Sequence, residues 1–173
     1  SVRSTDNGET WTDNPDLIYA NPFGGSQDPC MIQLHDGSIV CSSYGWSLVR
    51  ESTKKTFDES IKHGKFIFMG GYMLRSEDGG HTWGDVIIPP PTPTSVTDNV
   101  FGERSPAYNR GAMIQGKDGR LFWAVAAQRQ ITPRVTNIYL MISDDGGKTW
   151  EYSCPIAEDD KISFNETSLY ITP

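Results

Sequence analysis

An eight-residue pattern, Ser-x-Asp-x-Gly-x-Thr-Trp, occurs three times in this chain of 173 residues. The copies begin at Ser4, Ser76 and Ser143, so five of the eight positions are identical at spacings of 72 and 67 residues. A motif that recurs at such a period marks one supersecondary unit used several times. A unit of this kind buries its apolar face by stacking on its neighbours. The chain is therefore predicted to fold as an array of similar units.

A second repeat lies between the copies of the first. The sequence CMIQLHDGSIVCSSY at 30–44 aligns with AMIQGKDGRLFWAVA at 112–126, and both contain Met-Ile-Gln followed by Asp-Gly. An Asp-Gly pair between apolar runs is a strong hairpin signal, because a type I′ turn needs positive φ at both central residues. Asp36-Gly37 and Asp118-Gly119 are each predicted to join two strands.

Further β-rich runs place these hairpins within a larger unit. Strands are predicted at 65–75 and 136–142, directly before the second and third motifs, and at 85–88 and 151–156, directly after them. Each unit then has strand A, an Asp-Gly turn, strand B, a long loop, strand C, the eight-residue motif and strand D. Repeated units of four antiparallel strands predict an all-β propeller. A solenoid-like stack is the alternative, and the four-stranded units favour the propeller.

The predicted units divide the chain unevenly. Residues 1–20 form the end of one blade, 28–88 and 110–156 form two blades, and 164–173 form the first strand of the next. Propellers typically close with four to eight blades. We therefore expect 1–173 to be part of one larger propeller domain. An open piece with unpaired blade faces is expected to self-associate.

The eight-residue motif has a local structural role in this scheme. Its Ser, Asp and Thr side chains can bond backbone N–H groups of a tight turn, its glycines permit positive φ, and its Trp packs onto the blade. Asp6, Asp78 and Asp145 are thus assigned a structural role, since a calcium loop needs denser acidic ligands and a distal Glu. The motif is similar to the Asp-box, or bacterial neuraminidase repeat. The chain resembles part of a six-bladed sialidase-type propeller with Asp-boxes in the C–D turns.

Blade topology indicates where a site should lie. The Asp-Gly turns and the Asp-boxes share one face, and long loops at 12–29, 45–64, 89–110, 128–135 and 157–165 share the other, where binding groups concentrate. Strand A is innermost in a propeller. Alignment of the three A strands places Asp28, Arg110 and Glu166 at one structural position, facing the central funnel. They are candidate functional residues, and the alternative is that they satisfy loop backbone groups where the strands begin.

The resemblance implies a chemistry for Glu166. In sialidases a Glu in an Asn-Glu-Ser/Thr context pairs with a tyrosine and activates it as the nucleophile, and Asn165-Glu166-Thr167 is similar. A phenol needs such a base, because its ordinary pKa is near 10. The parent protein is then expected to release terminal sialic acid from glycoconjugates with retention, which departs from the usual two-carboxylate scheme.

The resemblance also implies arginines that hold the substrate carboxylate through bidentate hydrogen bonds. Five of the eight arginines fall on or beside the loop face. The candidate substrate-binding residues are Asp28, Arg110, Arg50, Arg129 and Trp46, the last by stacking on a sugar ring or by packing the loop instead.

Several family features do not occur in the chain. The Arg-Ile-Pro context of the first clamp arginine and the acid/base Asp would precede Ser1, and the nucleophilic Tyr would follow Pro173. The chain alone is therefore predicted to be inactive. The rival functions are a non-catalytic Asp-box propeller that binds glycan or protein on its loop face, and a different exo-glycosidase on the same scaffold.

The composition of the chain excludes some classes of binding partner. A net charge of −7 argues against nucleic acid or an anionic membrane surface, and no apolar run approaches the length of a membrane span. The three histidines are scattered, and no cofactor or metal is predicted. A sialylated glycan substrate implies a secreted, periplasmic or cell-surface protein.

Two smaller questions stay open at this point. Cys30, Cys41 and Cys154 are either buried free thiols or include a Cys30–Cys41 bridge, because those two fall on one face of the predicted hairpin. The charged run at 50–64 is predicted to be a solvated loop or a short amphipathic helix over the funnel.

Overall fold

The computed structural model describes residues 1–50, 52, 62–99 and 101–172. Within these residues the chain forms two four-stranded antiparallel sheets, with strand orders β1-β2-β4-β3 and β5-β6-β7-β8. The strands are β1 (Gly25–Gln33), β2 (Ile39–Leu48), β3 (Lys62–His63), β4 (Phe66–Ser76), β5 (Ile114–Gln115), β6 (Leu121–Gln130), β7 (Val135–Ser143) and β8 (Glu151–Ala157). The all-β prediction and the strands predicted at 65–75, 136–142 and 151–156 are confirmed. Their grouping into successive blades of one domain stays a prediction.

Both Asp-Gly pairs join strands as predicted, but the turn type was wrong. The N–H of Gly37 donates to the Leu34 carbonyl at 2.9 Å, and the Leu34 N–H donates to the Ser38 carbonyl at 2.8 Å. Only the glycine has positive φ, 86° at Gly37 and also at Gly119. This is a type I turn followed by a left-handed glycine, which forms a bulge. The extra residue shifts the register of each hairpin by one.

That shift separates the cysteines of the first hairpin. A two-residue turn would place Cys41 opposite Ile32, on the same face as Cys30. In the structure Cys41 lies opposite Met31, and Cys30 lies opposite Ser42, so the two thiols point to opposite faces. The alternative of a Cys30–Cys41 bridge is therefore wrong, and the alternative of free thiols is confirmed for both cysteines.

Burial also differs among the cysteines. Cys41 is buried, and burial raises its pKa to about 11. Cys154 is exposed on β8, against the expectation of a buried thiol.

Two predicted strands are reduced to isolated contacts. The run 85–88 makes a single bridge, in which the N–H and carbonyl of Ile87 pair with those of Met73 at 2.8 Å. Pro89 and its two following prolines have no N–H to extend this ladder. Residues 164–172 form no strand, although the Leu169 N–H donates to the Ala112 carbonyl at 3.1 Å.

The N-terminal segment 1–20 likewise contains no strand. Two pairs of hydrogen bonds join the two sides of its Asp-box. In the first, the Thr12 N–H donates to the Arg3 carbonyl at 2.9 Å and the Arg3 N–H donates to the Thr12 hydroxyl at 3.0 Å. In the second, the Asp16 N–H donates to the Ser1 carbonyl at 2.8 Å and the Ser1 amino group donates to the Asp16 carbonyl. Most of the run 50–64, predicted as a helix or a loop, lies outside the described residues, and its described end contains the short strand β3 instead.

The three Asp-boxes share one hydrogen-bond pattern, which confirms the structural role of their aspartates. The Ser hydroxyl donates to one aspartate oxygen, and the Thr N–H and hydroxyl donate to the two oxygens of the same carboxylate. The fifth residue has φ between 83° and 88° in all three copies, which explains the invariant glycine there. These hydrogen bonds, from Ser4 first and then Thr10, lower the pKa of Asp6 to about 2.

The core lies between the two sheets. It joins Val40 and Met73 of the first sheet to Leu121, Trp123 and Trp150 of the second, and the two tryptophan rings meet edge to face at 5.6 Å. The Asp-box tryptophan was predicted to pack onto its blade. This holds for Trp150, which is 4% exposed, whereas Trp11 is 57% exposed.

Arginine side chains connect successive Asp-boxes. Arg75 precedes the second box, and its Nε donates to the Gly146 carbonyl of the third box at 3.0 Å. Its Nη2 also contacts Asp36 in the first Asp-Gly turn at 3.3 Å. Arg3 precedes the first box and donates in the same way to the carbonyls of Gly79 and Gly80 in the second. The Asp-boxes and Asp-Gly turns therefore lie on one face, as predicted, which is called the Asp-box face below.

Candidate functional site

The three charged residues aligned by sequence meet in the structure. Arg110 Nη1 lies 2.7 Å from a Glu166 carboxylate oxygen, and Arg110 Nε lies 3.3 Å from Asp28 Oδ2. Asp28 belongs to β1, Arg110 precedes β5, and Glu166 lies in the segment after β8. The sequence alignment therefore brought together residues from three separate parts of the chain. The set is called the charged triad below, and its chemical role stays a prediction.

Two members of the triad have a strained backbone. Asp28 has φ of 48° within β1, and Glu166 has φ of 57° outside any strand. A left-handed conformation at a residue other than glycine costs on the order of 1–3 kcal/mol. Such residues cluster at functional sites and also occur in turns, as at Asn7 (φ of 57°) in the first Asp-box. At Asp28 the strain coincides with a break in the β1–β2 register between Gln27 and Cys30.

Tyr44 anchors the triad from within the protein. Its hydroxyl donates to Asp28 Oδ2 at 2.7 Å, and its ring lies beneath the Arg110 guanidinium, whose Cζ is 5.7 Å from the ring centroid. Burial, and then the hydrogen bond to Asp28, raise the pKa of Tyr44 far above its usual range. A tyrosine–carboxylate pair thus exists here, but the phenol is 1% exposed and stays protonated. Tyr44 is suited to hold Asp28 and unsuited to act as a nucleophile.

Sequence reasoning missed Tyr44. In the alignment of 30–44 with 112–126, Tyr44 corresponds to Ala126, so the repeat does not mark Tyr44 as a functional residue. The irregular register between Gln27 and Cys30 also places Tyr44 opposite Gln27, close to Asp28. A regular hairpin predicted from the Asp-Gly pair does not contain that irregularity.

An open depression of about 600 Å³ lies beside Arg110. Trp46, Leu48 and Phe66 form an apolar wall, and Gly24 to Gln27 form the floor. Trp46 contacts Phe66 edge to face, with ring centroids 6.5 Å apart. This volume is in the range of small-molecule sites, and an apolar wall with a few polar groups is their usual lining. Of the predicted binding residues, Trp46 and Arg110 line this depression.

The other candidate arginines are placed differently. Arg129 pairs with Glu158 at 3.1 Å and with Asp160 at 3.3 Å, so acidic neighbours neutralise its charge. Arg50 is exposed just beyond β2. Neither is among the described residues that line the depression. Sequence position on the loop face therefore did not predict which of these arginines lies beside the depression.

The charge of the triad limits what it can bind. Two carboxylates and one guanidinium leave a net negative charge, and both carboxylates already occupy Arg110. A substrate carboxylate would need further cations to be held here. The triad by itself is better suited to place a base than to clamp an anion.

Within the described ranges, His, Cys, Asp and Glu side chains form no group of three that could hold a metal ion. The described part of the chain contains no helix of the length and apolar character that a membrane span requires.

In a comparison with known protein families, the BNR/Asp-box repeat model matches residues 2–13 and 141–152. The chain carries BNR/Asp-box repeats. A comparison with curated proteins gave no match.

Two solved structures are similar to this BNR/Asp-box chain. The first is a crystal structure of a protein of unknown function from Dyadobacter fermentans DSM 18053, with 50% identity and a TM-score of 0.92 over 99% of this chain. The second is the Hadza microbial sialidase Hz136, with 21% identity and a TM-score of 0.61 over 89% of this chain. The chain spans 47% of the length of the first and 30% of the second. Its all-β fold therefore matches part of a sialidase-like propeller.

Proposed function

We propose that the parent protein is a sialidase-like exo-glycosidase, which releases terminal sialic acid from glycoconjugates, and that Glu166 activates its tyrosine nucleophile. The nucleophile itself is proposed to lie outside this chain. The observation that carries the proposal is the Arg110–Glu166 contact at 2.7 Å beside the depression. It holds an exposed carboxylate in a fixed position next to a space that can hold a sugar.

The backbone supports a functional role for Glu166. A glutamate whose only task was to pair with an exposed arginine would gain little, because exposed ion pairs contribute about 0–1 kcal/mol. The left-handed conformation at Glu166 costs at least as much. The strain therefore favours a role for this carboxylate beyond stability.

The chemistry assigned to Glu166 fits its surroundings. A tyrosine attacks as a phenolate, so a neighbouring base must remove the proton of the phenol, and a carboxylate can do this. The carboxylate of Glu166 is about half exposed and can reach a phenol placed by another blade. Tyr44 holds Asp28, which also contacts Arg110. We propose that Asp28 orients the Arg110 guanidinium.

A non-catalytic glycan-binding propeller is the second candidate. It is favoured by one observation, namely that both carboxylates already pair with Arg110 and leave no unpaired arginine in the triad. In that case Trp46 and Phe66 would stack on a sugar, and the depression would bind without cleavage.

The test uses the intact protein that contains this chain and a fluorogenic sialoside. Glu166→Gln should lower kcat by roughly 10²–10⁴-fold, the usual contribution of a positioned base. Glu9→Gln makes the same change on the exposed Asp-box face and should leave kcat unchanged. Equal kcat for Glu166→Gln and the wild type would exclude Glu166 from the mechanism.

The activity of the wild-type protein distinguishes between the candidate functions. Sialoside cleavage supports the proposed enzyme, cleavage of a different terminal sugar supports another exo-glycosidase, and glycan binding without cleavage supports the binding propeller. Trp46→Ala should raise KM more than it lowers kcat if the ring stacks on the substrate. Since sialylated glycoconjugates are displayed outside the cytoplasm, a secreted, periplasmic or cell-surface location is also proposed, and cell fractionation would test it.

A further inference from the structure

A second, smaller cavity lies behind the wall of the depression. Its volume is about 60 Å³, and it is enclosed between the 92–105 segment and the end of β6. Trp46 lines both this cavity and the depression, and Phe68 and Ala126 also line the cavity. Nothing in the proposed catalytic chemistry uses this space.

The other side of the cavity is polar. Thr92, Ser95, Thr97, Ser105 and Gln128 line it, and all five are 9% exposed or less. The Thr97 hydroxyl lies 3.3 Å from Gln128 Oε1. The lining therefore presents several hydroxyl and amide groups to one small volume.

Two of these hydroxyls have no hydrogen-bond partner within the part of the chain that the structure describes. Thr92 is 2% exposed and Ser105 is 4% exposed, and neither side-chain oxygen forms a hydrogen bond with any described residue. Buried polar groups in native proteins are almost always paired, either with protein or with ordered water. Both residues line the cavity, so a molecule inside it can pair with their hydroxyls.

We propose that this cavity is a binding site for a cluster of ordered water molecules. A volume of about 60 Å³ is enough for roughly two waters, each of which takes about 30 Å³ in the liquid and needs two to four polar partners. Thr92 and Ser105 supply partners from the covering segment, and Gln128 supplies one from β6. The waters would thus join the 92–105 segment to the second sheet, directly behind Trp46.

Whether Thr92→Val raises or lowers the Tm depends on whether water fills the cavity. Valine has nearly the shape of threonine, so Thr92→Val removes the hydroxyl and leaves the cavity almost unchanged. In a hydrated cavity a water loses a partner, and the Tm of the intact protein should fall by about 2–4 °C. In a dry cavity the substitution removes an unpaired hydroxyl, and the Tm should rise.

Two measurements on the intact protein test the proposal. A high-resolution crystal structure should show water within hydrogen-bonding distance of Thr92 Oγ1 and Ser105 Oγ. Density without water there, or protein partners for both hydroxyls, would overturn it. An unchanged or raised Tm for Thr92→Val, relative to the exposed control Thr5→Val, would also overturn it.

Discussion

Replacement of Arg75 by methionine should destabilise the protein by about 3 kcal/mol. Arg75 is 11% exposed and donates to the Gly146 carbonyl at 3.0 Å and to the Ser38 hydroxyl at 2.8 Å. Each hydrogen bond from a charged donor contributes about 1.5–3 kcal/mol, and the two share one guanidinium, so their sum is an upper limit. The contacts with Asp36 and Glu77 add about 0–1 kcal/mol, since both carboxylates are largely exposed. Methionine keeps most of the packing of the arginine stem.

The assay is guanidinium-induced unfolding of the intact protein, followed by tryptophan fluorescence. Arg120→Met is the matched control, because Arg120 forms its ion pair with Asp118 on the exposed surface at 2.7 Å. That control should cost about 0–1 kcal/mol. If Arg75→Met costs no more than Arg120→Met, the proposed connection between Asp-boxes does not contribute to stability.

Three further predictions concern the fold. Gly111→Ala should severely destabilise the protein, because a Cβ there would lie 1.8 Å from the Thr167 carbonyl oxygen. Gly25→Ala is the control, since a Cβ at Gly25 would meet open space, and thermal unfolding compares the two variants. The pKa of Asp6 is lowered to about 2 in the folded state, so its contribution is present above about pH 4 and is lost as pH falls toward 2. Asp6→Asn should flatten the stability profile in that window, and an unchanged acid limb would contradict this. All three cysteines should be alkylated in denaturant without a reductant, and a resistant pair in mass spectrometry would indicate a disulfide.

The sequence predicted most of the sheet structure, because its signals are local. Asp36-Gly37 marks a hairpin through backbone constraints on two residues, and the strand at 65–75 has its own β-rich pattern. The one-residue bulge at Gly37 was missed, since a type I turn with a left-handed glycine and a type I′ turn favour the same Asp-Gly pair. That single difference reversed the relative faces of Cys30 and Cys41.

The candidate site was predicted in part. Alignment of the inner strands brought Asp28, Arg110 and Glu166 together, because repeats place equivalent residues at equivalent positions around one axis. Tyr44 could not be predicted in this way, since its contact depends on an irregular register in one blade. The placement of Arg129 also depends on acidic side chains from a distant loop, which no local pattern reveals.

The left-handed residues of the triad have a consequence for laboratory evolution. Glycine adopts positive φ freely and asparagine does so more readily than glutamate, so both would relieve strain at Glu166. A library screened only for survival of heating should accumulate these two residues at position 166, and it should keep Asp28, which accepts the hydrogen bond of the buried Tyr44 hydroxyl. The same library screened for ligand capture should retain the acid at position 166. Divergence of the two selections at this position would separate what the site requires from what the scaffold prefers.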